Sequence, residues 1–123
     1  MNLIEGDISG GRFQCPGINV PVGESTQSGA AVLGFRPEDA EIVEPGQGQF
    51  DARIFAVELA GDYTLVTAEL GDHTVTVKMP MEYSVDYDSN VAVRFSSERG
   101  FLFAADSGLR LDGELVEDRK SVV

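Results

Sequence analysis

Apolar and polar residues alternate along several short stretches of this chain, and this period of two restricts the fold more than any other feature. From His73 to Met79, apolar side chains occupy alternate positions and polar side chains lie between them. Such alternation is typical of a strand with one buried face. Asn90–Phe95 repeats the pattern, and Tyr63–Leu70 is rich in β-branched and aromatic residues. The sequence therefore predicts an all-β protein.

Turn signals separate the predicted strands. Gly71-Asp72 lies between two strand patterns, and Gly at the first central position suits a type II′ hairpin turn. Ala60-Gly61-Asp62 predicts a slightly longer hairpin, and Ser9-Gly10-Gly11 predicts a third. Glu44–Gln49 and Pro21–Gly29 are polar and rich in turn residues, so we expect exposed loops there. Short strands with frequent turns favour a small barrel or sandwich.

Two further local features are expected. Pro37–Ala40 is compatible with a single helical turn, because proline is tolerated at a first helical position. A strand is predicted over residues 53–59. Its alternation should place Phe55, Val57 and Leu59 on one face.

The chain carries a net charge of −12, from 21 acidic and nine basic residues. Non-specific nucleic-acid binding depends on Lys and Arg against phosphate, so this electrostatic contribution would be repulsive here. Anionic membrane surfaces are disfavoured for the same reason. The acidic residues are spread along the chain, which is typical of a solvated surface. The charge therefore argues against DNA or RNA as the partner.

Cys15 is the only cysteine, so an intrachain disulfide and a multi-cysteine metal site are excluded. We expect it to be a buried or half-buried small apolar side chain. No apolar run approaches the length of about 20 residues that a membrane span needs, and the first residues lack a signal-peptide pattern. The sequence predicts a soluble, cytoplasmic protein.

Motifs for catalysis or metal binding are scarce. His73 is the only histidine, and the chain has no Gly-x-Ser-x-Gly nucleophile motif. Asp86–Asn90 has oxygen ligands at alternate positions, as in the first half of a calcium loop. Val91 and Ser97 stand where that loop requires Gly and Glu, so we interpret the run as a polar loop. No catalytic residue and no metal site is predicted.

The run Ile8–Arg12, Ile-Ser-Gly-Gly-Arg, is similar to the Leu-Ser-Gly-Gly-Gln signature of ABC ATPases. In those enzymes the signature begins a helix, whose N-terminal amides meet the γ-phosphate of ATP. Here Phe13–Gly17 is instead typical of a strand that ends at Pro-Gly, and the chain contains no Gly-x-x-x-x-Gly-Lys-Ser/Thr P-loop. We therefore interpret the run as a hairpin turn and expect no ATP hydrolysis and no bound cofactor.

Several segments, in order, resemble the C-terminal regulatory domain (the transport-associated OB, or TOBE, domain) of the ATP-binding subunits of sugar-type ABC importers. This is the maltose, trehalose and glycerol-3-phosphate class. Met1–Gly6 resembles the Met-Asn-Phe strand with which the family's domain opens, and Leu33–Asp39 resembles its Leu-Gly-Ile-Arg-Pro-Glu-His motif. Val57–Thr64 resembles the family's hairpin Glu-x-Leu-Gly-x-Glu-Thr. Near the end of the domain, Ser97–Phe103 resembles the motif Pro-Glu-Arg-x-His-Leu-Phe, and Ser107–Leu111 resembles Thr-Gly-x-Arg-Leu. Asp39 and Phe101 depart from the family by standing where His is common, and Ala60 adds a residue to the hairpin.

The resemblance implies an OB-like small β-barrel of short antiparallel strands over residues 1–112, and we expect the tail of residues 113–123 to fray. It implies a non-catalytic regulatory and dimerisation domain of an ATP-binding protein that drives carbohydrate import. The implied partners are a second copy of the chain as a homodimer, the ATPase domain and membrane subunits of the transporter, and a regulatory protein. The complex would lie at the inner face of the cell membrane. ATP and Mg²⁺ would belong to the ATPase domain alone.

The candidate regulatory or interface residues are Arg36, Glu38, Glu98, Arg99 and Phe101. Arg36 follows an apolar strand, and we expect it to form a bidentate pair with Glu38 or Glu98. Direct contact of Arg36 with a ligand or partner is the alternative. The aromatic side chains of Phe35, Phe101 and Phe103 are expected in the core, with Phe101 as the best candidate for an interface anchor.

Two rival functions stay open. A small-ligand-sensing barrel would bind a sugar or an oxyanion, and the arginines available for an anion are Arg36, Arg53, Arg94 and Arg99. A barrel that binds single-stranded nucleic acid would need a basic groove lined with aromatic residues. The net charge of −12 argues against that second alternative.

Overall fold

The computed structural model describes residues 1–22, 28–96, 100–105 and 107, and most of them lie in strands. In chain order the strands are β1 (Asn2–Ser9), β2 (Arg12–Cys15), β3 (Ile18–Pro21), β4 (Gly29–Phe35), β5 (Ala40–Val43), β6 (Phe50–Ala60), β7 (Tyr63–Leu70), β8 (His73–Pro80), β9 (Asn90–Phe95) and β10 (Gly100–Ala104). A 3-10 helix, Pro37–Asp39, lies between β4 and β5. The predicted all-β class and the predicted helical turn are both confirmed.

The strands form two antiparallel sheets of five strands each. The first has the order β10-β4-β1-β2-β3, and the second has the order β5-β9-β6-β7-β8. Alternation fixes the register, because a slip of one residue would turn every apolar side chain towards solvent. In β8, for example, Val77 is buried and Lys78 is exposed. Cross-strand pairing then brings buried residues together, as it does for Val66 and Val77.

The second sheet curls until its two edge strands, β5 and β8, lie side by side. Across this gap the Ile42 amide donates a hydrogen bond of 3.5 Å to the Met79 thioether sulfur. The 3-10 helix also packs against β8. Five short strands thus enclose a small barrel, and the first sheet contacts it where β1 meets β8 and β3 meets β6. The predicted OB-like barrel is confirmed.

One apolar core joins the two sheets. Phe35 of β4 stacks on Phe95 of β9, with ring centroids 4.6 Å apart and ring planes at 11°. The centroid of Phe35 also lies 6.2 Å from that of Phe50 in β6. Aromatic pairs of this kind add about 0.5–1.5 kcal/mol to the free energy of area burial. The prediction that Phe35 is a core residue is confirmed.

The same prediction is wrong for Phe101 and Phe103. Both side chains are half-buried, whereas Leu102 between them is 2% exposed and belongs to the core. Successive side chains of a strand point to opposite faces, so the two phenylalanines lie on the outer face of β10.

Two tight turns set the meander of β6, β7 and β8. Gly71 has a φ of 58° while Asp72 does not have a positive φ, which is the arrangement of the predicted type II′ turn. Ala60 pairs with Tyr63, so only the two residues Gly61-Asp62 connect β6 and β7. The longer hairpin predicted there is wrong.

A β-bulge at Phe55 changes the face that its side chain occupies. Ile54 pairs with Ala68 and Ala56 pairs with Thr67, so Phe55 is the extra residue of β6. Its side chain is 59% exposed. We expected Phe55, Val57 and Leu59 on one face of the strand. This is wrong for Phe55, because strict alternation stops at a bulge.

The run Ile8–Arg12 forms the predicted hairpin turn between β1 and β2. Ser9 pairs with Arg12, and Gly10-Gly11 is the two-residue connection. No helix begins at this point in the described residues, so the run lacks the N-terminal amides with which an ABC signature meets a phosphate.

The loop predicted at Glu44–Gln49 is confirmed, because turns and bends cover residues 45–49. Of the loop predicted at Pro21–Gly29, residues 23–27 lie outside the described residues, and its two end residues belong to β3 and β4. The domain boundary at residue 112 and the tail of residues 113–123 also lie outside them. Within the described part of the chain, no helix is long and apolar enough to cross a membrane.

Candidate functional site

Three of the five candidate residues lie at the same end of the pair of strands β4 and β10, or directly after it in the chain. Phe101 lies opposite Gly34 in the pair of β4 and β10. Arg36 directly follows β4, and Glu38 lies in the 3-10 helix that comes next. The candidates Glu98 and Arg99 lie outside the described residues, so their roles stay predictions.

Arg36 does not form the expected pair with Glu38. Both side chains are exposed, and no salt bridge among the described residues includes Arg36. The Arg36 backbone is extended (φ −87°, ψ 145°), and its carbonyl accepts the Asp39 amide at 3.0 Å. Because the backbone changes from extended to 3-10 between the two side chains, neither strand nor helix geometry aligns them. The alternative partner, Glu98, lies outside the described residues.

Exposed and half-buried apolar side chains occupy part of the outer face of the first sheet beside these residues. We name this area the outer apolar face and define it by Met1, Leu3, Val32, Gly34, Phe101 and Phe103. Leu3 is 61% exposed and Met1 is 55% exposed. The ring centroids of Phe101 and Phe103 lie 6.5 Å apart, with the planes at 40°. Apolar side chains of three neighbouring strands therefore meet at the protein surface.

Gly34 allows this face to pack closely. A Cβ atom at Gly34 would lie 3.1 Å from Leu3 Cδ2, 3.1 Å from Met1 Sδ and 3.3 Å from Phe103 Cε2. The side chains of both neighbouring strands therefore lie directly over the glycine. Sequence reasoning missed Leu3 and Phe103 as surface residues. For Phe103 the sequence does contain a signal, which is Leu102. If Leu102 is a core residue, the phenylalanines on either side of it point to the opposite, outer face of the strand.

Two of the arginines that were candidates for an anion site contact acidic side chains. Arg94 Nε donates to Glu41 Oε1 at 2.9 Å, and Arg94 Nη2 contacts the same oxygen. Arg53 lies 3.5 Å from Glu69 and 3.9 Å from Asp88. Exposed pairs of this kind contribute only about 0–1 kcal/mol to stability, but they reduce the positive charge offered to an anion. These contacts do not favour the oxyanion alternative.

Neither His73 nor the Asp86–Asn90 loop forms a chemical site in the described residues. His73 begins β8 opposite Leu70. The Asp88 amide donates to the Ile54 carbonyl at 2.9 Å, so this loop is a connection attached to β6. Within the described ranges, no group of three or more His, Cys, Asp or Glu side chains is placed to hold a metal ion.

Among the residues that the structure describes, the pKa values of two side chains, Cys15 and Tyr83, are shifted. Burial raises the pKa of the Cys15 thiol, in keeping with the half-buried place predicted for it. Burial and the nearby Glu44 carboxylate raise the pKa of the Tyr83 hydroxyl. Both groups therefore stay protonated at neutral pH. Cys15 is a weak nucleophile, and Tyr83 is a hydrogen-bond donor.

Comparison with known proteins identifies the family of the chain. Residues 33–103, more than half of the chain, match the TOBE domain family. The chain is 29% identical to the xylose/arabinose import ATP-binding protein XacK of Haloferax volcanii, over 99% of this chain and 35% of that protein. It is 24% identical to the uncharacterized ABC transporter ATP-binding protein YcjV of Escherichia coli O157:H7, over 90% of this chain and 33% of that protein.

The chain spans about a third of the length of these curated relatives. The residues that match the family run from the middle of β4 to β10 and include all five strands of the barrel. Sequence match and architecture agree, and the chain belongs to the TOBE domain family.

Proposed function

We propose that this chain is the non-catalytic regulatory domain of an ABC transporter ATP-binding protein that drives carbohydrate import. The observation that carries the proposal is the alignment of nearly the whole chain with about a third of the xylose/arabinose import ATP-binding protein XacK. The 123 residues contain no P-loop motif, so ATP and Mg²⁺ would be bound by the part of the parent protein outside this chain. On this proposal the chain acts on an ATPase and does not itself hydrolyse ATP.

The partners and the location belong to the same proposal. The parent protein would be cytoplasmic, and the membrane subunits of the transporter would hold it at the inner face of the cell membrane. Within the parent, this chain would contact the ATPase domain. The net charge of −12 disfavours direct attachment to anionic lipid, so protein contacts would supply the attachment.

We assign the outer apolar face to a second copy of the chain. Two copies with a net charge of −12 each repel one another, so a contact between them favours a surface without carboxylates. Leu3, Gly34 and Phe103 carry no carboxylate and lie on the β1, β4 and β10 side of the first sheet, where the exposed Glu5, opposite Val32, borders them. Large apolar side chains at the centre of an interface also supply much of its affinity.

Leu3→Asp tests this contact in the parent protein. Because Leu3 is 61% exposed, the fold should persist while self-association weakens by about tenfold or more. Leu59→Asp is the matched control, since Leu59 is 66% exposed on the β6–β7 hairpin of the other sheet. Sedimentation velocity over a range of concentrations measures both variants. Equal dissociation constants for wild type and both variants would reject the outer apolar face as the dimer contact.

Transport assays test the regulatory role. We expect removal of this domain from the parent protein to change the ATP hydrolysis rate of the assembled transporter, or its response to sugar. The affinity of the ATPase domain for ATP should stay unchanged, because on this proposal the nucleotide is bound outside this chain. A transporter whose hydrolysis, sugar response and uptake are all unchanged without the domain would contradict the proposed role.

A further inference from the structure

We propose that the open edge of β6 (residues 55–60) binds an extended segment of another protein as an added strand, and that this segment alternates basic and apolar residues. β6 has 11 residues, but β9 pairs only with its first four, from Phe50 to Arg53. In the described residues, the rest of β6 has β7 on one side and no ladder on the other. This edge belongs to the second sheet, so the site goes beyond the dimer contact proposed for the first sheet.

A turn ends the pairing on this side of β6 at Ile54. The Ile54 amide donates to the Ser89 carbonyl at 3.0 Å, and the Ile54 carbonyl accepts the Asp88 amide at 2.9 Å. Asp88 has a φ of 63°, which is uncommon for a residue other than glycine and typical of a turn. β3 is also a neighbour of β6, but no ladder joins the two strands. Beyond Ile54, the described residues therefore supply β6 with no strand on this side.

The hairpin determines which backbone groups of β6 point to the open edge. Ala60 and Tyr63 close a two-residue connection and so form a hydrogen-bonded pair. Such bonds recur at every second residue of an antiparallel pair. Glu58 therefore also bonds to β7, while the amides and carbonyls of Val57 and Leu59 point away from it. The described backbone hydrogen bonds outside the strand ladders include neither residue. An added strand would meet two donors and two acceptors.

Side chains on the two faces of this edge define the chemistry of the partner. Leu59 is 66% exposed, and Phe55 at the bulge is 59% exposed. Glu58 is exposed on the opposite face to Leu59, and Asp62 in the turn is exposed as well. Residues 55–62 contain no Lys or Arg. A strand added here would place successive side chains beside Leu59 and Glu58 in turn. Apolar residues match the first, and basic residues match the second.

The same charges select against a second copy of the chain at this edge. Two β6 edges side by side would bring the Glu58 and Asp62 carboxylates of both copies together. Like charges on neighbouring strands are destabilising, whereas opposite charges are favourable. Charged side chains are also a common means by which proteins prevent edge-to-edge pairing with themselves. The net charge of −12 attracts a basic partner over a longer range. The partner is therefore a basic segment of a different protein.

Amide hydrogen exchange of the full 123-residue chain, followed by NMR, tests whether the edge is open. We expect the amides of Val57 and Leu59 to exchange fast and those of Glu58 and Ala60 to exchange slowly, because only the second pair bonds to β7. A seven-residue peptide that alternates Lys and Val should slow exchange at Val57 and Leu59. If both amides are already protected without peptide, the chain itself covers the edge, for example with residues 23–27 outside the described part, and the proposal fails.

Two further peptides separate strand addition from attraction between charges. In one, Glu replaces every Lys, and in the other the same Lys and Val residues are arranged in two blocks. We expect both to bind about tenfold more weakly than the alternating basic peptide, because each loses a match to one face of the edge. No binding of the alternating basic peptide, or equal binding of the two basic peptides, would overturn the proposal.

Leu59→Pro tests the backbone contact. Proline removes the N–H that points to the open edge but no hydrogen bond to β7, so we expect about tenfold weaker binding of the alternating peptide. Leu59→Val is the matched control, since it keeps the N–H and an apolar side chain, and it should bind as wild type does. Equal affinities for wild type and a folded Leu59→Pro would contradict strand addition.

Glu58→Lys is the second variant, and it decides the question if thermal unfolding shows that Leu59→Pro does not fold. Because Glu58 is exposed, this variant should fold and should prefer the peptide that contains Glu. An unchanged preference for the basic peptide would reject the assigned face. None of these measurements involves ATP hydrolysis or self-association, so this site and the proposed function can fail separately.

Discussion

The side-chain amide of Asn2 takes the place of a neighbouring strand at the edge of β8. Asn2 Nδ2 donates to the Thr76 carbonyl, and Asn2 Oδ1 accepts the Thr76 amide, each at 2.8 Å. Asn2 is only 9% exposed. The Asn2 side chain thus satisfies both backbone groups of Thr76 at the edge of the second sheet, and it connects the first sheet to the second. Because these two groups already have partners, β8 cannot pair with another chain at this point.

We expect Asn2→Ala to lower the free energy of unfolding by about 1–3 kcal/mol, because the Thr76 amide and carbonyl would lose their partners. Chemical denaturation measures the change. Gln14→Ala is the control, since an exposed substitution of this kind should stay within about 0.5 kcal/mol of wild type. Equal effects of the two substitutions would show that the Asn2 bonds do not hold the sheets together.

A side chain at Gly48 is expected to separate the 44–49 turn from β9. A Cβ atom there would lie 2.3 Å from the Val93 carbonyl oxygen, and the same oxygen accepts the Gln49 amide at 2.9 Å. Overpacking against backbone costs about 1–3 kcal/mol, so Gly48→Ala should be destabilised by that amount in thermal unfolding. The neighbouring exposed substitution Gln47→Ala is the control. If both variants unfold at the same temperature as wild type, the close approach of Gly48 to the Val93 carbonyl does not exclude a side chain at position 48.

Most of the strands were predictable, because alternation and turn residues are local signals. The predicted bounds of β7 and β9 agree with the structure. The short strands β3 and β5, with four residues each, were not predicted. The bulge at Phe55 was missed because an extra residue in a strand carries no fixed sequence signal.

The candidate surfaces were less predictable, because they depend on contacts between distant residues. Asn2 and Thr76 are 74 positions apart. The side-chain amide of Gln49 forms hydrogen bonds with both the backbone carbonyl and the backbone N–H of Phe95, which is 46 positions away.

Cys15 should react slowly in the native protein. Burial raises the pKa of its thiol, so the reactive thiolate is a smaller fraction than in the unfolded chain. The native state retains this proton where the unfolded state releases it, so its contribution to stability falls as the pH rises through the raised pKa. Iodoacetamide should alkylate the native protein more slowly than the urea-unfolded protein near pH 8. An equal or faster native rate would contradict the shift.

Salt should stabilise the fold. A net charge of −12 creates self-repulsion, and raising the ionic strength from about 0.05 M to about 1 M shortens the range of that repulsion. We expect the thermal midpoint to rise by about 5 °C, equivalent to roughly 1 kcal/mol. The double variant Glu5→Gln with Asp7→Asn removes two exposed carboxylates of β1 and should respond less. If salt shifts the thermal midpoints of wild type and the double variant equally, or shifts neither, repulsion between the acidic side chains does not limit stability.

The most direct test of the central claim is the size and activity of the native protein that carries this chain. An antibody raised against the 123 residues would capture that protein from cells. We predict a polypeptide about three times as long as this chain, because the chain spans 35% and 33% of its relatives, and we predict that it hydrolyses ATP and co-purifies with membrane subunits. A captured polypeptide no longer than the 123 residues, without ATPase activity, would contradict the claim.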